Sequence, residues 1–173
     1  VVIATSAGAI FGSRLLAGES ANRLYERQLA GADRVDVRVG LGQTLRFLWA
    51  ALGSRDPKRS VQRLGRAALK SRTVPESDVF DALRPLLRGV GDWPDHALRI
   101  TAVDALSGQL TAFDADSDVT LLEAVAASCA VPVVWPPVTV AGRRWMDGGS
   151  RATANLHLAR GHDHDLAIAP IPT

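Results

Sequence analysis

A serine hydroxyl attacks a carbonyl only when a neighbouring group takes its proton, so that chemistry needs a well-presented serine with a base beside it. Two stretches of this chain carry those residue types. Ser6 lies in Ala4-Thr5-Ser6-Ala7-Gly8, between the apolar run Val1-Val2-Ile3 and a segment, Ala9 to Leu16, that reads as a helix. Strand, small-residue turn, serine and helix together form the layout of a nucleophile elbow, which lifts the hydroxyl above a sheet edge. The helix start also aims its unpaired N–H groups at the reacting centre. Small residues two positions before and after the serine are expected because larger side chains would collide with strand and helix. Gly8 fits that need, and Ala4 stands where glycine is usual. The Ala7 N–H, directly after the serine, is the oxyanion donor this layout supplies. The candidate base is Asp147, which closes the strand-like run Arg143-Arg144-Trp145-Met146 and precedes Gly148-Gly149. The paired glycines are expected to permit a tight turn that holds the carboxylate on the sheet edge. A free aspartate titrates near ~4, so burial has to raise its pKa before it serves as a base at neutral pH.

The histidines offer a competing constellation. His162 and His164, in Gly161-His162-Asp163-His164-Asp165, follow Asp147 in the Ser…Asp…His order of hydrolase triads, and keep that alternative open. His-x-His with flanking aspartates lacks further ligands at recognisable spacing, so no metal site and no cofactor is expected. His96 and His157 are assigned structural or solvent-facing roles. Cys129, in Ala127-Ser128-Cys129-Ala130, is expected to be an inert buried thiol rather than a nucleophile.

Helices and strands mixed throughout the chain position these residues and argue for a layered α/β domain. After the first helix, which Gly18 ends, Asn22 to Leu29 reads as a second helix and Asp33 to Val39 alternates with a strand-like period, with a loop as the alternative. Leu41, Leu45, Leu48, Trp49 and Leu52 recur at helical spacing, as a core helix or as a lid over an apolar pocket. Arg59, Arg63, Arg66 and Lys70 share one face of a basic helix within Arg55 to Arg72. That face is either solvated or laid on an anionic membrane surface. Pro75 to Leu87 reads as a helix kinked or ended near Pro85. Leu98 to Val103 and Gln109 to Phe113 suggest one hairpin, and Val138 to Val140 with Arg143 to Met146 a second. Between them Thr120-Leu121-Leu122-Glu123 is a capping box for a helix reaching Ser128. Asn155 to Arg160 and Leu166 to Ala169 read as a short helix and a last strand.

The 173 residues are enough for one domain with its own core. A formal net charge of +2 is too slight to argue for nucleic acid, and a single cysteine excludes an internal disulfide and suits a reducing, cytoplasmic setting. Pro132, Pro136 and Pro137 break the uncharged stretch from Ala124 to Gly142, so it is not expected to cross a membrane. The chain opens inside a strand without methionine, which reads as a piece of a longer polypeptide.

The elbow residues Ala4 to Ala9, the run Ala127-Ser128-Cys129-Ala130-Val131-Pro132 with Trp135-Pro136-Pro137, and Trp145-Met146-Asp147-Gly148-Gly149 resemble, in order and spacing, the patatin-like phospholipases. The resemblance covers essentially the whole chain. It implies a three-layer α/β/α sandwich with a mixed, mostly parallel sheet, incomplete at both ends. It also implies a Ser–Asp dyad in which Ser6 is the nucleophile and Asp147 the base, with acyl esters of lipids as substrates and peripheral membrane contact as part of their use. The family's glycine-rich oxyanion loop, which precedes its elbow, has no counterpart here. Two function classes therefore stand: a serine acyl hydrolase acting on lipids, and a catalytically silent lipid-binding or interaction domain. As a fragment, residues 1–173 are expected to hydrolyse a short ester at least ~10²-fold more slowly than a parent carrying that loop.

Overall fold

The computed structural model describes residues 1–33, 56–94, 98–152, 154–161 and 166–168. Strand β1 (Val2–Ala4) runs almost directly into helix α1 (Ala7–Leu16), and α2 (Ala21–Leu29) follows, its Arg23 N–H donating to the Ser20 hydroxyl. Next come α3 (Pro57–Leu69), capped by Asp56, and α4 (Glu76–Leu83). At Pro85, which has no N–H to donate, the chain tightens into a 3₁₀ turn over Arg84–Leu87. Strands β2 (Leu98–Asp104) and β3 (Leu110–Phe113) form the first hairpin. Helix α5 (Leu121–Cys129) opens with both reciprocal bonds of the Thr120–Glu123 capping box. Strands β4 (Val138–Val140) and β5 (Arg143–Asp147) form the second hairpin through Ala141 and Gly142, whose φ values of 48° and 71° suit the twist of a two-residue turn.

Those elements match the sequence expectations, and four others need comment. The short helix near the end is a 3₁₀ turn, Leu156–Ala159. Among the described residues, 166–168 pair with no strand, and Leu166 and Ile168 are 87% and 82% exposed; alternation of apolar residues does not itself supply a ladder partner. The strand expected after Asp33 and the apolar helix around Trp49 lie outside the described residues.

The sheet is mixed. Strand β1 pairs with β2 in parallel, whereas β2–β3, β2–β5 and β4–β5 are antiparallel. Among the described strands the balance is thus antiparallel rather than mostly parallel, because two hairpins supply two of the four pairings and β5 also runs against β2. Strand β3 pairs with β2 from Ile100 to Val103, which leaves only the opposite edge for β1 and β5. They share it end to end: Ala4 lies opposite Ile100 and Asp147 opposite Ala102. The carboxyl ends of β1 and β5 therefore converge on Thr101.

Side-chain alternation along the strands separates two cores. Ile100, Ala102 and Trp145 face a layer that includes Ala9 and Ile10 of α1, Val79 and Leu83 of α4, and the buried face of α5. Val103 and Met146 face the other way, onto Val61 of α3. Helices thus cover both faces of the sheet, and the architecture is α/β/α. Close approach is built in on both sides. A Cβ on Gly12 of α1 would lie 3.5 Å from Ala4, Leu98 and Val2 side chains, in ordinary contact. A Cβ on Gly65 of α3 would lie 1.9 Å from the Ala105 carbonyl oxygen, so glycine is required there.

Candidate active site

Ser6 occupies the junction between β1 and α1 with φ 54° and ψ −127°. Left-handed φ is costly for a residue with a Cβ, on the order of 1–3 kcal/mol, and persists only when surroundings over-determine it. The surroundings do so here. The Ser6 N–H donates to the hydroxyl of Ser128, fully buried near the end of α5, at 2.9 Å. On the other side the Gly8 and Ala9 N–H groups donate to the Thr5 and Ser6 carbonyls at 2.9 and 2.8 Å. A serine at a helix start ordinarily spends its hydroxyl on capping, but Ser6 makes no capping bond. Its side chain lies near enough to the Asp147 carboxylate to favour that group's charged form.

Asp147 is 6% exposed at the end of β5. Its N–H donates to the Ala130 carbonyl at 2.9 Å, and its Oδ1 accepts the Gly149 N–H at 2.7 Å. Burial pushes its carboxyl above the ordinary aspartate value, while the Ser6 side chain and the Gly149 N–H pull in the opposite direction. The sequence left two roles for α5 unread. Through Ser128 it holds the elbow, and through Ala130 it holds the strand that carries the carboxylate. Cys129, between those two anchors, is a free and buried thiol whose pKa is pushed up by burial and by the nearby Asp147 charge. Such a thiol is inert.

A buried polar cluster fills the floor where β1 and β5 converge. Thr5 and Thr101 share a hydroxyl–hydroxyl bond of 2.7 Å, and the Asn155 Nδ2 reaches Thr5, Thr101 and the Gly148 carbonyl at 3.3 to 3.4 Å. Sequence reasoning missed all three side chains. The available signal was a threonine inside an otherwise buried strand, since a buried hydroxyl calls for a partner.

The small residues also play roles other than those expected. A Cβ on Gly8 would meet nothing within 4 Å among the described residues, so steric need at the turn does not explain that glycine. Ala4, in contrast, is buried against Gly12. Neither Gly148 nor Gly149 has a left-handed φ, so conformational freedom is not what the pair contributes. Gly148 is needed for space: its Cβ would lie 2.2 Å from the Thr101 hydroxyl and 2.6 Å from its carbonyl oxygen. The Ala7 N–H, first in α1, has no intrahelical acceptor, and Ala7 and Gly8 are exposed. His157 is exposed, and His96, His162 and His164 lie outside the described residues. Among the described residues no group of three or more His, Cys, Asp or Glu is placed to hold a metal ion, and no helix is long and apolar enough to cross a membrane.

An open mixed sheet between helical layers, with a strained serine between strand and helix and a buried carboxylate beside it, has the architecture of the α/β acyl-hydrolase class. The model of the patatin-like phospholipase family matches residues 1–160, and the chain belongs to that family. No curated protein matches the chain. The family consists in general of lipid acyl hydrolases, which places this chain among lipid hydrolases at that level of description.

Proposed function

We propose that this chain cleaves acyl esters of lipids with Ser6 as nucleophile and Asp147 as its base. The observation that carries the reading is the pairing of a strained Ser6, whose hydroxyl is not used for capping, with a carboxylate at 6% exposure whose pKa burial raises. In the first half-reaction Ser6 Oγ bonds to the ester carbonyl carbon while its proton passes to Asp147. The tetrahedral oxyanion so formed faces the Ala7 N–H and the positive end of α1. Collapse breaks the bond to the leaving alkoxide, which takes the proton from Asp147 and departs as an alcohol. Water then repeats the sequence: Asp147 takes its proton, the hydroxide adds to the acyl-enzyme, and Ser6 leaves with the proton restored. An aspartate suffices because an alkoxide needs less proton assistance than an amide nitrogen. A raised pKa also brings the base closer to the working pH, where proton transfer is most effective.

The test is covalent labelling with a fluorophosphonate followed by mass spectrometry. The adduct is expected on Ser6, absent in Ser6→Ala and strongly slowed in Asp147→Asn, with ester hydrolysis lost in both. His162→Ala combined with His164→Ala is expected to hydrolyse esters nearly as the parent chain does. Labelling at another serine refutes Ser6 as nucleophile, and loss of activity in the histidine variant as complete as in Asp147→Asn replaces the dyad with a triad.

A further inference from the structure

Charge is distributed very unevenly in this chain. From Asp56 to Arg72 there are six cations (Lys58, Arg59, Arg63, Arg66, Lys70 and Arg72) and one carboxylate, a net +5. Because the whole chain carries +2, everything else sums to −3. Helix α3 concentrates that excess further. At 100° per residue, Arg59, Arg63, Arg66 and Lys70 fall within an arc of about 60°, spread along about 17 Å of axis. The buried residues Val61, Leu64, Gly65 and Ala68 lie diametrically opposite. All four cations are exposed, Arg59 with 80% of its side chain accessible, and its 3.5 Å contact with Asp56 is the one ion pair the four make among the described residues. No acidic residue lies within α3 itself.

The helix is also fixed at a particular place. Gly65 packs on the Ala105 backbone and the Gln62 side chain donates to the Ser107 carbonyl at 3.0 Å, so α3 is clamped to the turn that follows β2. That turn is at the carboxyl end of β2, four residues or about 13 Å along the strand beyond Thr101, on which the Ser6 elbow and Asp147 converge. Helix α3 lies on the face of the sheet opposite α1, and its basic stripe, turned away from its buried residues, is the outer surface of that layer.

We propose that this face of α3 docks on a bilayer surface bearing anionic lipid headgroups. The choice of a membrane over another polyanion rests on the reading of the chain as a lipid acyl hydrolase, whose substrate resides there. The four-cation stripe supplies the complementarity. A cation near an anionic leaflet is worth about five-fold in partitioning, so four together amount to a few hundred-fold, and the attraction decays over a Debye length of about 8 Å at physiological salt.

Sedimentation with vesicles of phosphatidylcholine alone, or of phosphatidylcholine with phosphatidylserine, tests this on the 173-residue chain carrying Ser6→Ala, so that binding is read without hydrolysis. Binding is expected to the phosphatidylserine vesicles only, and to fall steeply with added salt. Arg59→Glu, Arg63→Glu, Arg66→Glu and Lys70→Glu combined are expected to weaken it at least ~100-fold, and the same four changed to glutamine to weaken it less. With Ser6 restored, both sets are expected to turn over a water-soluble nitrophenyl ester at the parent rate, which also reports that they fold. Binding that ignores phosphatidylserine, is unchanged in both variants, or yields to an equal concentration of duplex RNA overturns the proposal. A chain that binds vesicles as described yet hydrolyses no ester keeps the docking face and removes the hydrolase reading.

Discussion

Gly148→Ala isolates what the second residue of Asp147-Gly148-Gly149 contributes. An added Cβ would sit 2.6 Å from the Thr101 carbonyl oxygen and 2.9 Å from its carbonyl carbon, where ordinary contact begins at 3.4 Å. The hydroxyl at 2.2 Å can rotate away, though only by breaking its 2.7 Å bond to Thr5. The carbonyl cannot, because Thr101 is held mid-strand in β2 opposite Ala112. Position 148 must therefore retreat by about 0.8 Å, the difference between 2.6 and 3.4 Å, and the adjoining Asp147 moves with it. Overpacking of this kind costs about 1–3 kcal/mol, which a domain with 5–15 kcal/mol in hand survives. Misplacing a catalytic group by about 1 Å costs on the order of 10²-fold in rate. Steady-state hydrolysis of a short-chain nitrophenyl ester is thus expected to show kcat lowered about 10²-fold with KM little changed, alongside a folded circular dichroism spectrum. Gly149→Ala is the internal control: its Cβ meets only the Asp147 Oδ1 at 3.0 Å and the Thr5 methyl at 3.8 Å, an adjustment of tenths of an ångström. Its loss is expected to stay below ten-fold. Wild-type kcat in Gly148→Ala, or a larger loss in Gly149→Ala, refutes the steric argument.

Three more outcomes follow from the site. Ser128→Ala removes the acceptor of the Ser6 N–H, freeing the elbow to relax from φ 54°; fluorophosphonate labelling at saturation is expected to slow about ten-fold, with Ser128→Cys intermediate and thermal stability altered less than labelling. For Asp147 the folded pKa lies above the unfolded value of 3.8, so the native state binds the proton more tightly. Stability then falls as pH rises from 3.8 through the folded pKa, and Asp147→Asn is expected to be the more stable protein at neutral pH, with the gap closing below 3.8, by urea melts at several pH values. Over the same titration kcat/KM of the parent is expected to decline as pH falls, because the base is lost.

Much of the fold was legible because its signals are local. Thr120 and Glu123 announce a helix start within four residues, Pro85 ends a helix by lacking an N–H, and Ala141-Gly142 turns a hairpin. Ser6 and Asp147 stood out through the small residues around them. What was hidden depends on pairing at a distance. Nothing in Val2 to Ala4 or Arg143 to Asp147 says that both strands take the same edge of β2 and meet at Thr101. The glycines misled for the same reason: Gly148 and Gly65 answer to backbone from another element, Thr101 and Ala105, rather than to their own φ. Leu166 and Ile168 misled in the opposite sense, since apolar alternation describes a face and not the neighbour that would cover it.

The bonds that fix the elbow span long stretches of chain: 122 residues from Ser6 to Ser128, 96 from Thr5 to Thr101 and 150 from Thr5 to Asn155. No segment short enough to fold early contains the site. Contacts so remote in sequence are slow to establish, and the free energy of opening differs from place to place within one protein. Asn155 joins the floor through bonds of 3.3 to 3.4 Å from a single amide, so it can detach while the helices stay packed on the sheet. On the proposed reading, turnover is expected to be the last property the chain acquires on refolding and the first it surrenders on warming. On heating, loss of turnover would precede loss of helix, and the interval between them would measure how firmly Asn155 is held.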